Sequence, residues 1–430
     1  VIIGVSTRAM AESAARAGAR VVAVDFFGDR DQTRAAKSRA VRRDLGLAAT
    51  AAGLARAALD VGAPAVVYGA NLENHPDLVA RLARKRRVLG NEAAAVRAVR
   101  DWRVLRRFCA EESVACPMTL FAGEEPSSCE RERRWLRKRL RSGGGHGVRR
   151  WDGRPLDGAH LLQEEVQGRA ASASFAADGH AARVFALSEQ LIGDRALGAR
   201  GRVWCGNILP LVAPSRASVE VRLRAEVERL ATLLTRRFGL RGVNGIDLVV
   251  HETSDGGLVP YLVEVNPRFT ASMELAELAY GVSVFSLHLE GCAGRLPAAR
   301  PAEEGGMGGA AQGSAGGAAQ CHPAGVLGKA VVYARRPVVT PDTGPWLEEM
   351  LDRAWLRGAV PAVRDIPASG ERIAAGHPVC TVFAAAADRE ACLADLREAA
   401  TIIEKSLHDG ERQREVRRGR ALHVDQRTHA

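Results

Sequence analysis

Apolar positions at the start of the chain come in short blocks set between longer mixed stretches. The run VIIGVS ends in Gly and Ser, an Ala-rich stretch from Ala9 to Ala19 follows, and VVAVD closes the unit. Brief apolar runs bounded by turn residues predict buried strands, and the longer segment between them predicts a helix. A second unit of the same kind is expected from AVVYGA at 65–70, the helical LENHPDLVARLARKR and the short strand RVLG ending at Gly90. Residues 1–95 are therefore expected to form a small doubly wound, Rossmann-like α/β domain.

The pattern then changes. Asp101 to Glu112 reads as an amphipathic helix stopped near Pro117, and WLRKRLRSGGGHGVRRW reads as a basic strand that enters a glycine loop and leaves by another strand. HLLQEEV, SASFAAD and ARVFALSEQ read as antiparallel strands, residues 218–239 as a long helix, GIDLVVHE and VPYLVEVNP as paired strands, and Ser272 to Tyr280 as a helix. Together these make a second domain, 96–295, with the glycine loop at 138–150 and the strand pair at 243–268. Residues 303–320 are Gly/Ala-rich and too poor in large apolar side chains to build a core, so they predict a linker. Residues 325–408 predict a small α+β domain ending in a helix from Arg389 to Leu407, and 409–430 a basic tail. The expected fold class is α/β plus α+β.

Composition narrows the partners. At 430 residues and 47% apolar the chain is that of a multi-domain globular protein. No apolar run approaches the roughly 20 residues that a bilayer requires, so no membrane partner and a cytoplasmic setting are expected. The eight cysteines are far apart and never at C-x₂-C spacing, which excludes a zinc ribbon or a disulfide scaffold. The net charge of +11 comes almost wholly from arginines spread over every segment, with only five lysines, so nucleic acid is not an expected partner.

The strongest chemical signal is Asp247 with Glu264-Val265-Asn266-Pro267-Arg268. On a strand Glu264 and Asn266 share a face, and Asp247 comes from the neighbouring strand. Hard oxygen donors at this spacing suit Mg²⁺ or Mn²⁺, completed by phosphate oxygens and water. Arg268, two residues on, is placed to reach a transferring phosphoryl group. Lys138 stands four residues ahead of the Ser142 to Gly147 loop, which contains Gly143, Gly144 and Gly145. Glycines let a backbone approach phosphates, and a lysine beside such a loop adds positive charge. The loop is not a Walker A motif, because no Gly-Lys-Ser/Thr ends it.

In this order the motifs resemble the ATP-grasp superfamily, over roughly residues 1–292. The resemblance implies an ATP-grasp fold with a pre-ATP-grasp α/β domain, and ATP with Mg²⁺ as cofactors. It implies that Lys138 contacts the α- and β-phosphates under a lid formed by Ser142 to Gly147, and that Gln163, Glu164 and Val166 form the adenine hinge. Asp247, Glu264 and Asn266 would hold metal, and Arg268 would stabilise phosphoryl transfer. The implied activity is that of a ligase: a small carboxylate becomes an acyl phosphate, which an amine or similar nucleophile displaces. A bicarbonate- or biotin-type carboxylase and a non-catalytic nucleotide-binding module are the alternatives, and a homo-oligomer is open. The chain departs from the family pattern at Trp102 and Arg103, where an upstream lysine is usual and Arg103 is the expected substitute, and at Ala170 and Ala171, where the ribose is usually held.

Rival readings concern the first domain. Gly4 and Asp25 imitate a dinucleotide-binding unit, but the turn lacks G-x-G-x-x-G. Ser6 and Arg8 are candidates for a substrate carboxylate, set against a simple helix cap by Ser6 or Thr7. Asn71, Glu73 and Asn74 follow a strand at its carboxyl end, where open α/β sheets bind ligands. Gly206-Asn207 is a possible acceptor loop, and His146 a possible phosphate contact.

Overall fold

The computed structural model describes residues 1–127, 130, 132–296, 325–353 and 362–425. The linker expected at 303–320 lies outside the described residues.

The first block holds β1 (Ile2–Ile3), α1 (Arg8–Arg16), β2 (Val22–Asp25), β3 (Lys37–Ala40), α2 (Ala51–Asp60), β4 (Ala65–Tyr68), α3 (Pro76–Ala83) and β5 (Arg87–Val88). Its sheet is parallel in the order β3-β2-β1-β4-β5. Chain direction across the sheet reverses between β1 and β4, so their carboxyl ends open a crevice. Strand β3, KSRA, was not expected: it is an edge strand whose first residues face water and carry no apolar signal. Helix α2 was also not expected, although Thr50 caps it through Gly53 N at 3.1 Å and Leu54, Ala55 and Ala58 are fully buried beneath it.

α4 (Ala93–Val99) and α5 (Trp102–Glu111) lead into the second block. Asp101 caps α5, accepting from Arg103 N at 2.9 Å and Val104 N at 3.2 Å. β6 (Thr119–Phe121), β7 (Trp135–Arg139), β8 (Arg149–Arg150) and β9 (His160–Glu164) form a small antiparallel sheet in the order β6-β9-β7-β8. Thus HLLQEEV joins the sheet that carries the glycine loop, whereas SASFAAD and ARVFALSEQ enter a different one.

That second sheet has eight antiparallel strands, order β14-β13-β10-β11-β12-β15-β19-β17. β10 (Arg169–Asp178), β11 (Ala182–Ile192), β12 (Trp204–Leu209), β13 (Arg241–Glu252) and β14 (Leu258–Asn266) come from the middle of the chain. The long helix α6 (Ala217–Phe238) covers one face, burying Leu223, Val227, Leu230, Leu234 and Phe238 against Phe175, Ile246 and Leu248. α7 (Met273–Tyr280) and α8 (Val284–Cys292) cover the other, where Met273, Val284 and Phe285 pack on Val243 and reach Ile2 and Met10 of the first block.

β15 (Val326–Tyr333), β16 (Val338–Val339), α9 (Gly344–Arg353), β17 (Val363–Arg364), β18 (Arg372–Ile373), β19 (Pro378–Ala386) and α10 (Arg389–Asp425) follow. β15 pairs directly with β12, from Gly206↔Ala330 to Leu209↔Leu327, so the C-terminal strands continue the central sheet. α10 closes over β15 and β19 with Cys392, Leu396, Ala400 and Ile403, and it runs through to Asp425, into the stretch expected as a tail. No helix among the described residues is long and apolar enough to cross a membrane.

Candidate active site

Where the blocks meet lies a cavity of 1590 Å³. On its central-sheet wall Asp247 of β13 stands opposite Glu264 of β14, and a bulge after Asp247 shifts the register so that Leu248 pairs with Leu262. The extra residue, Val263, lines the cavity beside Glu264. Among the described residues Asp247 receives amide donors only, from Gln190 Nε2 at 2.8 Å and Asn266 Nδ2 at 3.0 Å. Burial and the adjacent Glu264 push its carboxyl up to about 6.

Arg268 leaves the end of β14 and is held on two sides. Its Nε donates to Glu73 at 2.7 Å and its Nη2 to Asn266 Oδ1 at 3.2 Å. Glu73 is 2% exposed, and the Arg268 guanidinium keeps its carboxyl below the usual range in spite of burial. The residue sits just past the carboxyl end of β4, so the crevice of the parallel sheet supplies the clamp for an arginine of the central sheet.

Opposite this wall Lys138 on β7 donates to Gln163 Oε1 at 2.5 Å. Burial lowers the lysine's pKa while the Glu264 and Asp247 carboxylates oppose that, so its ammonium faces the acidic pair. The glycine loop arches away from β7 and touches the lead-in to β12: Trp204 N donates to Gly144 O at 3.0 Å. Gly145 has φ +74°, and a Cβ there would lie 1.8 Å from Arg202 O, so only glycine fits this contact.

Lys138, Ser142, Gly143, Gly144, Gly145, Asp247, Glu264, Asn266 and Arg268 all line the one cavity. Gln163, Glu164 and Val166 are not among its lining residues. Gln163 is 3% exposed and reaches the site through Lys138, while Glu164 accepts from Met118 N at 3.3 Å and Arg133 Nη1 at 2.6 Å. Asn71, Glu73, Asn74, His146, Asn207 and Ala170 line the cavity as well. Ala171 is fully buried.

Several expectations change. Arg103 points outward, its side chain 56% exposed, with its guanidinium 4.1 Å over the Phe121 ring. The cation at that end of the helix pair is Arg100, which pairs with Glu264 and donates to Val265 O at 3.0 Å and Asn74 Oδ1 at 2.8 Å. Nothing in the local pattern VRAVRDW distinguishes it from the chain's many other arginines. Arg8, a candidate for substrate carboxylate, is 1% exposed and engaged by Glu12, Glu274 and Asp365. Thr7 makes no side-chain cap to α1; its hydroxyl donates to Asp25 at 2.9 Å. Asp25 in turn accepts from Phe27 N and Gly28 N, so it is consumed in the turn and is not offered to a ribose. Lys329 was not anticipated: it lines the cavity and donates to Glu274 at 2.6 Å. Its type was the available signal in a chain with so few lysines.

Residues 100–272 match the family described as the ATP-grasp domain, and the chain carries an ATP-grasp domain within the α/β architecture described above. The chain is similar to the biotin carboxylase domain of 2-oxoglutarate carboxylase from Hydrogenobacter thermophilus, solved with MgADP, ADP and bicarbonate, at 14% identity and TM-score 0.60, covering 93% of this chain and 88% of that one. It is also similar to N5-carboxyaminoimidazole ribonucleotide synthetase from Thermotoga maritima at 13% identity and TM-score 0.58, covering 93% and 97%. A third is the biotin carboxylase–β-γ-ATP complex from Campylobacter jejuni, at 14% identity and TM-score 0.59, covering 92% and 89%. No curated protein sequence matches the chain.

Proposed function

We propose that this protein is an ATP-dependent ligase that converts a small carboxylate to an acyl phosphate and passes the acyl group to an amine or similar nucleophile, releasing ADP and phosphate. The observation that carries the reading is the convergence of Lys138, the glycine loop, the Asp247–Glu264 pair and Arg268 on one cavity of an ATP-grasp domain. Lys138 and the loop N–H groups offset phosphate charge, and the loop excludes water when nucleotide is bound. Arg268, clamped by Glu73, meets the charge that develops on the transferring phosphoryl group. Gln163, Glu164 and Val166 support the adenine end through the strand behind Lys138.

The acidic pair fits a divalent cation. Two carboxylates face each other across β13 and β14; among the described residues Asp247 accepts from neutral amides only, while Glu264 also pairs with Arg100. Mg²⁺ or Mn²⁺ takes one or two protein carboxylates and completes its shell with phosphate oxygens and water, and this pair can supply those carboxylates. Asp247, Glu264 and Asn266 would hold the ion, which neutralises charge on the β- and γ-phosphates when bound.

A bicarbonate-activating carboxylase is the second reading, favoured by the likeness to a carboxylase domain solved with bicarbonate over nearly all of this chain. Mg²⁺-dependent ADP release with hydroxylamine as a trap separates the two. Hydroxamate formed from one organic acid supports the ligase; turnover on bicarbonate alone supports the carboxylase. Glu264→Gln and Lys138→Ala are each expected to lower ADP release about a hundredfold or more while the melting transition persists. ADP release at the wild-type rate by both variants would refute the site.

A further inference from the structure

The cavity does not end at the acidic pair and Arg268. It continues past Arg8 and Lys329 to the loop after β2, where Phe26, Phe27 and Asp29 line it. This loop is fixed at both ends. Asp25 accepts from Thr7 N at 3.1 Å and Gly28 N at 2.7 Å, and Asp31 accepts from Asp365 N at 3.0 Å and Ile366 N at 2.9 Å. Arg30 N donates to Ile366 O at 2.8 Å. Asp29 is thus presented by a backbone tied to both the first block and the C-terminal strands.

The charges around it are unequal. Arg8 is shared by Glu12, Asp31, Glu274 and Asp365, Lys329 belongs to Glu274, and Arg364 lies 3.8 Å from Glu12. Carboxylates outnumber cations there even before Asp29 is included. Arg43, which also lines this end, is engaged by the Phe27 and Gly28 carbonyls and by Asp44. Asp29 itself is 4% exposed, has no ion pair among the described residues, and its Oδ2 has no hydrogen-bond partner. A buried carboxyl without a partner costs stability unless something else satisfies it. Asp29, lining a cavity, is available to a ligand.

We infer that Asp29 is a substrate-binding residue, and that a substrate of this protein carries an ammonium group which pairs with it, remote from the reacting atom. The inference rests on the ligase reading for its chemistry, because an amine that attacks an acyl phosphate must be neutral and the group held at Asp29 is a second, non-reacting nitrogen. Phe26 and Phe27 line the same end of the cavity. Burial and the neighbouring Asp365, Asp25 and Asp31 push the Asp29 carboxyl up against the opposing pull of Arg8, and an ammonium beside it favours the carboxylate. An ammonium on the acid and one on the nucleophile present the same chemistry.

The test uses the full chain and calorimetric titration without nucleotide. The probes are hexanoate against ε-aminohexanoate, which place the cation on an acid, and n-butanol against n-butylamine, which place it on an amine. We expect at least one ammonium-bearing probe to bind at least about tenfold more tightly than its partner lacking the nitrogen. Asp29→Asn is expected to abolish that difference and Asp29→Glu to retain part of it, with wild-type melting for at least one of the two. Binding that Asp29→Asn leaves unchanged, or no preference for the added nitrogen in either pair, overturns the proposal. Affinity for a fluorescent ATP analogue is measured separately: its absence would sink the ligase reading while leaving an Asp29-dependent preference intact.

Discussion

Glu73 and Arg268 are 195 residues apart in the chain and bonded at 2.7 Å. In the proposed reaction this contact fixes the guanidinium that meets charge on the transferring group, so the glutamate would act through the arginine. Glu73→Gln is expected to lower kcat about tenfold with nucleotide affinity little changed, because a misdirected arginine loses interaction mainly in the transition state; steady-state ADP release beside equilibrium nucleotide binding checks this. Glu274 is the residue where acid sensitivity is most visible. Arg8 and Lys329 hold its carboxyl well below the ordinary 4.5 despite burial. A depressed folded pKa gives stability that is fully present above 4.5 and lost as pH falls below it. Asp31, raised to about 6, works in the opposite sense between about 6 and 3.8, so the comparison needs a variant. Glu274→Gln should cost about 3 kcal/mol near neutrality by taking from buried Lys329 its carboxylate and from Arg8 one of several, and the gap to wild type should close as pH drops below 4.5 in denaturant melts.

Elements decide how the glycine loop works. A methyl group added at Gly143 would meet nothing within 4 Å, and its φ is ordinary, whereas Gly145 combines φ +74° with close approach to the Arg202 carbonyl. Gly145→Ala is therefore expected to push the loop off β12 and weaken ATP binding by about tenfold, in line with the roughly 1–2 kcal/mol of a left-handed conformation for an L-residue. Gly143→Ala should bind ATP like wild type. Nucleotide titration of the pair distinguishes a loop docked by one glycine from one that is simply flexible. Three glycines in a row announce a loop near phosphate in the sequence, but which of them bears the close contact depends on Arg202, about sixty residues later.

At the scale of the whole molecule the C-terminal strands belong to the central sheet. Gly206 has φ +155°, and a Cβ there would lie 2.2 Å from Lys329 O, so the seam between β12 and β15 is built for close backbone approach. Leu191, Cys205 and Ile208 bury their side chains in the same cluster as Val332, Val382 and Leu396. Removing residues beyond 296 would expose that apolar layer and leave β12 as an open edge. The truncated chain is expected to be aggregated or unfolded, with loss of the cooperative melting transition, as read by circular dichroism and size-exclusion chromatography. A soluble, cooperatively melting product would show that the two parts fold independently.

Local chemistry was readable wherever period and residue type coincide. Strand alternation put Glu264 and Asn266 on one face, the Asp247 partner strand followed from the paired apolar runs, and a lysine beside a glycine loop was conspicuous in a lysine-poor chain. Edge strand β3 was invisible because a solvent-facing strand needs no apolar residues, and Arg100 was invisible among so many arginines. The sequence by itself determined the βαβ opening, the long helix α6, the paired strands β13 and β14, the ATP-grasp order of motifs and the residues of the acidic pair, because these depend on neighbours within a few positions. Only the tertiary structure decided that Glu73 clamps Arg268, that Arg8 and Lys329 are spent on Glu274, that β15 extends the sheet and that Asp29 lines the cavity without a partner. Pairing between charges distant in the chain is set by how the layers pack, and residue type alone does not specify which carboxylate each cation will meet.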